Sequence, residues 1–405
     1  MSNISQQNSA IENEEFEKLV TKEKFDPVIG LSLKNKKKSK FKTVIKSMDV
    51  ILLVLTILTC IFGFIILTSA VNSYQHNVKY IAIQVLAFLI GFFSIYIINA
   101  LGYEHITDKR IFVMGACFFL LFIVLIPGIG TGFEEKGGRS WMRIGQFGFQ
   151  PSEVVKIGFV VTVAKQLSML ENEINKFKNI IKVLFCGGLF IFLVILEPDA
   201  GTAMVYIFML IVMIFFSGIN YKYVYSALGM FLLFVPIAWF FILKDYQKFR
   251  IINFLNPEND PWASGYQVVQ SKIAIGSGRI FGKGFLKGSS VQFGFLPEKH
   301  TDFIYSVIGE ELGIIGSIGA IILISSIILR CIYIAKNSSD SLGMYISLGV
   351  ASMLLFQTFE NIGMCIGLMP VTGITLPFIS YGGSSLLTNL SAIGLVLSVK
   401  QKFKK

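Results

Sequence analysis

The stretch MDVILLVLTILTCIFGFIILTSAV, Met48 to Val71, decides the fold: after Asp49 it carries no charge to its end. An α-helix rises about 1.5 Å per residue, so about 20 apolar residues cross the roughly 30 Å hydrocarbon core of a bilayer. Nine further runs read the same way: Val78 to Leu101, Ile111 to Gly128, Val154 to Leu170, Ile180 to Leu196, Ala203 to Ser217, Tyr223 to Leu243, Phe303 to Ile334, Leu342 to Met369 and Ser384 to Val399. The expectation is an all-α integral membrane protein of about ten transmembrane helices. Composition agrees, because 54% of the 405 residues are hydrophobic and 15% are charged, against about 25% charged in soluble proteins. One soluble domain cannot hide that much apolar surface.

Lysine and arginine set the expected orientation, since short basic loops stay on the cytoplasmic side. Lys34, Lys36, Lys37, Lys38, Lys40, Lys42 and Lys46 precede the first span, and Lys109, Arg110, Lys176, Lys178, Lys222, Arg330, Lys336 and Lys400 fall at alternate ends. The connections Glu197 to Thr202 and Pro370 to Gly383 hold no basic residue. Both termini are therefore expected in the cytoplasm, with residues 129–150 and a large loop, 244–302, outside between spans seven and eight. This divides the chain into a polar, basic tail (1–47) without apolar periodicity, read as disordered, a membrane domain (48–399) and a short basic tail (400–405). The net charge of +11 sits beside spans, so it reads as topology and contact with anionic membrane lipids rather than nucleic-acid binding.

The five cysteines, Cys60, Cys117, Cys186, Cys331 and Cys365, all fall within the apolar runs. Disulfides and a thiolate zinc site are not expected from that placement. His76, His105 and His300 are too scattered in sequence to suggest a histidine metal cluster. The first apolar run also begins too late for a cleavable signal.

Charge beside a bilayer is costly and tends to be functional, and three places carry it. The first is GGRSWMRIGQFGFQPSEVVK, Gly137 to Lys156. Pro151 suits a first helical turn and Glu153 complements its positive end. Lys156, three residues on, shares that helix face where the dipole disfavours a cation. Two readings stand: an internal ion pair with Glu153, or a partly desolvated cation that, with Arg139 and Arg143, meets an anionic diphosphate.

The second place is LNPENDPWASGYQVVQSKIAIGSGRIFGKGF, Leu255 to Phe285. Its first part is turn-rich, and Gln267 to Ile275 has the apolar content of a short helix at headgroup level. Gly276, Gly278, Gly282 and Gly284 are not a dinucleotide fingerprint, because no strand–helix unit flanks them; close-packed or flexible backbone explains them better. The third place is PEKHTDF, Pro297 to Phe303, at the junction with the eighth span. Thr301 or Asp302 could cap that helix, yet Glu298 and His300 lie beside them and Glu310 and Glu311 follow. Asp302 and Glu310 are about 12 Å apart along a helix axis, beyond the usual paired-carboxylate geometry.

Taken together, FQPSEVVK, EPDAGTA, NPENDPWASGYQVVQSKIAIGSG, FLPEKHTDFIYSVIGEELG and NIGMCIGLMPVTGITLPFISYGGSS resemble the SEDS proteins of bacterial shape, elongation, division and sporulation. The resemblance covers essentially all of Met48 to Val399, and SKIAIGSG and NIGM look most like the RodA elongation branch. It implies a ten-span peptidoglycan glycosyltransferase of the cytoplasmic membrane that polymerises lipid II on the outer face, partnered by a class B penicillin-binding protein transpeptidase. It also implies that Asp302 is the catalytic aspartate and that Glu153 and Lys156 are needed for activity. The family's arginine directly before the loop tryptophan is displaced here, since Ser140 precedes Trp141 and Arg139 comes one position earlier.

The positions suit that chemistry. Glycan extension needs a base for the acceptor 4-hydroxyl and a positive environment for the departing polyprenyl diphosphate. Asp302 is the candidate base; Lys156, Arg139, Arg143, Glu153, Glu298 and His300 are the candidate substrate-binding residues. Glu153 either orients Lys156 or helps hold a divalent cation, and no other cofactor is expected. The reaction inverts the anomeric centre by direct displacement. SYGGSS, Ser380 to Ser385, reads as a substrate loop or as a turn made by Gly382 and Gly383. Gln357, Glu360 and Asn361 face either an internal cavity or neighbouring helices. A flippase or transporter of polyprenyl-linked precursors is the alternative function, although no internal repeat of the transporter kind is visible. A scaffold without activity would leave Asp302 and Lys156 without a chemical reason.

Overall fold

The apolar runs all become helices, and their ends fall within a few residues of the expected positions. The structure is a computed structural model and describes residues 48–75, 77–126, 130–131, 140–144, 147–242, 248, 252, 254 and 264–400. The two tails, apart from Lys400, and Arg139 lie outside the described residues. In chain order the elements are α1 (Val50–Val71), α2 (Asn77–Leu101), α3 (Tyr103–Asp108), α4 (Arg110–Leu125), β1 (Gly130–Thr131), β2 (Trp141–Ile144), β3 (Phe147–Phe149), α5 (Pro151–Met169), α6 (Phe177–Leu196), α7 (Ala200–Phe215) and α8 (Tyr221–Ile237). A π-helical turn, Ala238–Ile242, follows Pro236 near the end of α8, where a missing N–H loosens the ladder. The chain continues through α9 (Ser264–Ser277), α10 (Ser289–Gln292), α11 (Ile304–Lys336), α12 (Ser341–Ile366) and α13 (Gly383–Lys400).

Among the described residues, seven helices are long and apolar enough to cross a membrane: α1, α2, α6, α8, α11, α12 and α13. α4 and α7 are apolar but 16 residues each, and α5 carries Glu153, Lys156 and Lys165 within its 19 residues. The protein is thus a multi-pass membrane protein, while length and composition alone do not establish ten spans. A small sheet accompanies the helices. Residues before α5 form a three-stranded antiparallel sheet in the order β1–β2–β3, with Met142 opposite Gly130 and Phe149 and Arg143 opposite Gly148. Those pairs are short, and no alternating run announces them.

α12 and α13 are the most buried of the seven candidate spans although they are the least apolar. Their polar residues meet other helices instead of lipid. α13 runs against α2 through small residues: a side chain at Gly91 would strike Leu390, and one at Gly394 would strike the Ile95 backbone. Ser94 and Ser391 share a hydrogen bond of 2.7 Å there, and Asn99 Nδ2 donates to the Gly394 carbonyl at 3.2 Å. α8 buries no residue and is mostly apolar, as a lipid-facing helix should be.

α11 is interrupted where sequence periodicity gave no warning. Gly313 has φ 67° and ψ −159°, which breaks the ladder. The 279–284 loop completes it: Lys283 N and Gly284 N donate to the Glu310 and Glu311 carbonyls, and Ile314 N and Ile315 N donate to Arg279 and Ile280. Backbone that leaves helical form in an apolar setting persists only where protein satisfies it. This splice also explains Gly278 and Gly282, since a Cβ at either would collide with the carbonyl of Gly309 or Glu311.

Candidate functional site

The end of the bundle that gathers the loops without basic residues contains a cavity of about 230 Å³. Its walls come from β2 and the start of α5, the start of α7, residues 298–302, residues 373–375 and residues 381–385. Asp302 and Glu153 both face it. Typical ligand pockets measure about 300–1,000 Å³, so this one is smaller than most.

α5 begins as its sequence dictates, with Pro151 in the first turn and Glu153 beside the free N–H groups. Gln150 Nε2 donates to Asp199 Oδ2 at 2.7 Å, and Tyr206 Oη donates to the Ser152 carbonyl at 2.7 Å. Asp199 in turn caps α7 by accepting from Thr202 N at 3.0 Å. The EPDAGTA run therefore fixes the start of α5 and brings Thr202 to the cavity wall. Lys156 Nζ donates to Glu153 Oε1 at 2.6 Å, and Lys156 is 0% exposed. The ion-pair reading of Lys156 is the observed one, and Lys156 is absent from the described cavity wall. Glu153 Oε2 is buried without a hydrogen-bond partner.

Residues 297–303 form the corner before α11. Neither Thr301 nor Asp302 is its cap: the N-cap is Phe303, which supplies no side-chain hydrogen bond. Thr301 Oγ1 instead donates to Glu298 Oε2 at 3.0 Å. Gly373, with φ 79°, backs onto Asp302, where a Cβ would sit 3.5 Å from Oδ2. That distance is ordinary van der Waals contact, and it is the positive φ that calls for glycine.

Glu298 lines the cavity and His300 does not. His300 packs among Tyr74, Tyr80 and Tyr381, with ring centroids 5.4, 5.1 and 5.4 Å away. Burial lowers its pKa and keeps the imidazole neutral. Lys299 is 1% exposed; its amine donates to Ser73 Oγ at 2.6 Å and to the Val291 carbonyl, 4.9 Å from the Tyr74 ring centre. His300 and Lys299 thus hold the corner to the α1–α2 connection. Arg143 is exposed on β2 and lies off the cavity wall.

Sequence reasoning missed Trp141, Thr202 and Thr375 on the wall, and SYGGSS proves to be both a turn and a lining segment, because Tyr381, Gly382, Gly383, Ser384 and Ser385 face the cavity. Gln357 and Glu360 are buried and make no side-chain hydrogen bond, whereas Asn361 Nδ2 donates to the Asp302 carbonyl at 2.8 Å. Among the described residues, no three His, Cys, Asp or Glu side chains gather as a metal-binding group. The cavity nevertheless offers three carboxylates, those of Glu153, Glu298 and Asp302, with one Glu153 oxygen left open, and a Mg²⁺ ion commonly takes one or two carboxylates together with substrate phosphates.

A family model described as a cell cycle protein, for FtsW, RodA and SpoVE, matches residues 49–405. Stage V sporulation protein E of Bacillus subtilis is 37% identical over 366 residues, 88% of this chain and 97% of that protein. Peptidoglycan glycosyltransferase MrdB of Escherichia coli K12 is also 37% identical, over 284 residues, 69% of this chain and 76% of that protein. A solved chain from a study of structural coordination of polymerization and crosslinking by a peptidoglycan synthase complex superposes with a TM-score of 0.74 at 30% identity, covering 87% of this chain and 97% of that one. The two equal identities do not rank the elongation branch above sporulation.

Proposed function

The chain belongs to the FtsW, RodA and SpoVE family of peptidoglycan glycosyltransferases, and we propose that it polymerises lipid II at the outer face of the bacterial cytoplasmic membrane, with Asp302 as general base. The observation that carries this reading is the placement of Asp302 and Glu153 on one cavity at the loop end of a membrane bundle.

Asp302 takes the proton from the acceptor sugar's 4-hydroxyl as that oxygen bonds to the donor's anomeric carbon. The bond from that carbon to the diphosphate oxygen breaks in the same step, its electron pair leaves with the polyprenyl diphosphate, and the configuration inverts. Lys156 acts through Glu153: the buried ammonium holds one carboxylate oxygen and leaves the second for the substrate side. No lysine, arginine or histidine is among the described residues of the wall, so Arg143, exposed on β2, meets the diphosphate only from outside that wall. A divalent cation held by Glu153 and Asp302 would supply the missing positive charge beside the phosphates. The small cavity takes the reacting sugar while the lipid stays in the bilayer.

The loop pattern supports the outer face, because two of the connections that line the cavity, Glu197 to Thr202 and Pro370 to Gly383, hold no basic residue. A class B penicillin-binding protein is the partner that fits, since the solved relative belongs to a complex that couples polymerization to crosslinking. Purified protein is to be given lipid II with and without such a transpeptidase. Glycan strands from wild type and none from folded Asp302→Ala support the assignment. Retained polymerisation by folded Asp302→Ala overturns the base, and liposomes that translocate precursor without making polymer favour the transporter.

A further inference from the structure

Three consecutive backbone carbonyls at the corner that carries Asp302 are taken by donors from elsewhere in the fold. Tyr381 N donates to the His300 carbonyl at 2.9 Å, Ser380 Oγ to that of Thr301 at 2.7 Å, and Asn361 Nδ2 to that of Asp302 at 2.8 Å. The same Asn361 nitrogen donates to the Ile374 carbonyl at 2.7 Å. One fully buried amide from α12 therefore fastens two walls of the cavity together. The 380–382 segment is itself held from α2: Gln84, 2% exposed, donates to the Ser380 carbonyl at 3.0 Å and accepts from Gly382 N at 3.1 Å.

The corner has little to hold it from within. Thr301 N and Phe303 N both fall back on the Glu298 carbonyl at 3.2 Å, Glu298 has a φ of 45°, and Phe303 gives no cap. Buried carbonyls normally find donors, so any one of these bonds would be unremarked packing. Their grouping is what matters, because all three acceptors are the corner of the candidate base, and the donors are Tyr381, which lines the same cavity, and Ser380 and Asn361, which are joined to its lining residues Tyr381 and Ile374. Placement of a base is worth much: a shift of about 1 Å can cost about a hundredfold in rate.

We propose that Asn361 and Ser380 are positioning residues that set Asp302 in the cavity, with Gln84 holding the loop from which Ser380 acts. The proposal rests on the glycosyl-transfer reading of that cavity.

The test uses full-length protein in detergent or nanodiscs as wild type, Asn361→Ala, Ser380→Ala and Ser380→Thr. Amide hydrogen exchange is followed in peptides covering 298–303, and initial rates are measured with lipid II. In the two alanine variants the corner should exchange about tenfold faster, as expected for one lost hydrogen bond, while the spans keep wild-type protection. The kcat should fall about 10–100-fold with KM within about twofold, and Ser380→Thr, which keeps the hydroxyl, should restore both. Unchanged corner exchange in the alanine variants overturns the proposal, as does wild-type kcat in either. If Asn361→Ala does not fold, the Ser380 pair decides alone. If wild-type protein fails to turn over lipid II, the reaction reading falls, and corner exchange still decides whether the latch exists.

Discussion

Lys156 Nζ lies 2.6 Å from Glu153 Oε1, one turn deeper on the same face of α5, with the lysine wholly out of solvent. A cation near a helix N-terminus opposes the dipole, so the glutamate is what makes Lys156 tolerable there. Removing one partner of a buried pair strands the other at about 3–5 kcal/mol. Glu153→Gln should therefore lower the thermal midpoint more than Lys156→Met, which leaves a carboxylate at the favourable helix end. The double variant should lie nearer wild type than Glu153→Gln alone. Thermal unfolding of the four proteins checks this, and simple additivity of the two losses would show that the pair is not coupled.

Asp302→Asn should reduce polymerisation of lipid II by about 10²–10⁴, the usual contribution of a general base. Its thermal midpoint should stay close to wild type, because the corner is held by the Asp302 carbonyl, which the substitution keeps, and α11 takes its N-cap from Phe303. Glu298 lies at the exposed rim of the cavity, so Glu298→Gln should cost less than about tenfold, mainly in KM. Initial rates against substrate concentration separate the two.

The helices were legible because apolar runs are long and the bilayer fixes their length. The start of α5 was legible too, since Pro151 carries a local signal that the structure uses as read, whereas the cap at Asp199 starts α7 at Ala200, ahead of the expected Ala203. The site was legible as motifs but not as geometry. PSEVVK and HTDF lie about 150 residues apart in the chain, and nothing in either says that Lys156 turns inward while Glu153 faces the cavity. His300 illustrates the same limit: its neighbours Glu298 and Asp302 suggest a ligand, but three tyrosines from other segments claim its ring. The break at Gly313 was invisible because the loop residues that repair it come 27 to 35 positions before their partners, and a helical period does not register hydrogen bonds given to another segment.

Glu197, at the end of α6, is 1% exposed and neither carboxylate oxygen finds a hydrogen-bond partner. Burial, with Asp199 adding to it, pushes its pKa from 4.5 up to about 9. The folded chain then keeps a proton that the unfolded chain has already released, so this group's contribution is full below about pH 4.5 and is lost as pH rises through about 9. Glu197→Gln carries no such slope. It should match wild type at pH 5 and exceed it by about 2–4 °C or more in thermal midpoint at pH 9. An equal gap at both pH values would mean that the carboxyl is not the titrating group.

Glu310 is a carboxylate that an apolar helix would ordinarily exclude, and its partners show why it is kept. It is 0% exposed and accepts from Lys283 Nζ at 2.7 Å, Ser290 N at 2.9 Å and Val291 N at 3.1 Å. Glu311 does likewise with Ser69 Oγ at 2.7 Å and Leu286 N at 3.2 Å. Every one of these partners is a donor, so the site requires a group that only accepts. Glu310→Gln would turn an amide NH₂ toward backbone N–H groups and leave one of them unsatisfied, on top of losing the lysine pair. Near-isosteric replacement should then be nearly as damaging as Glu310→Ala, each costing about 3–5 kcal/mol. The 283–292 loop should become the first site of limited proteolysis in both. A glutamine variant as stable and as resistant as wild type would mean that Glu310 is protonated and itself donating, which would require its partners to be reassigned.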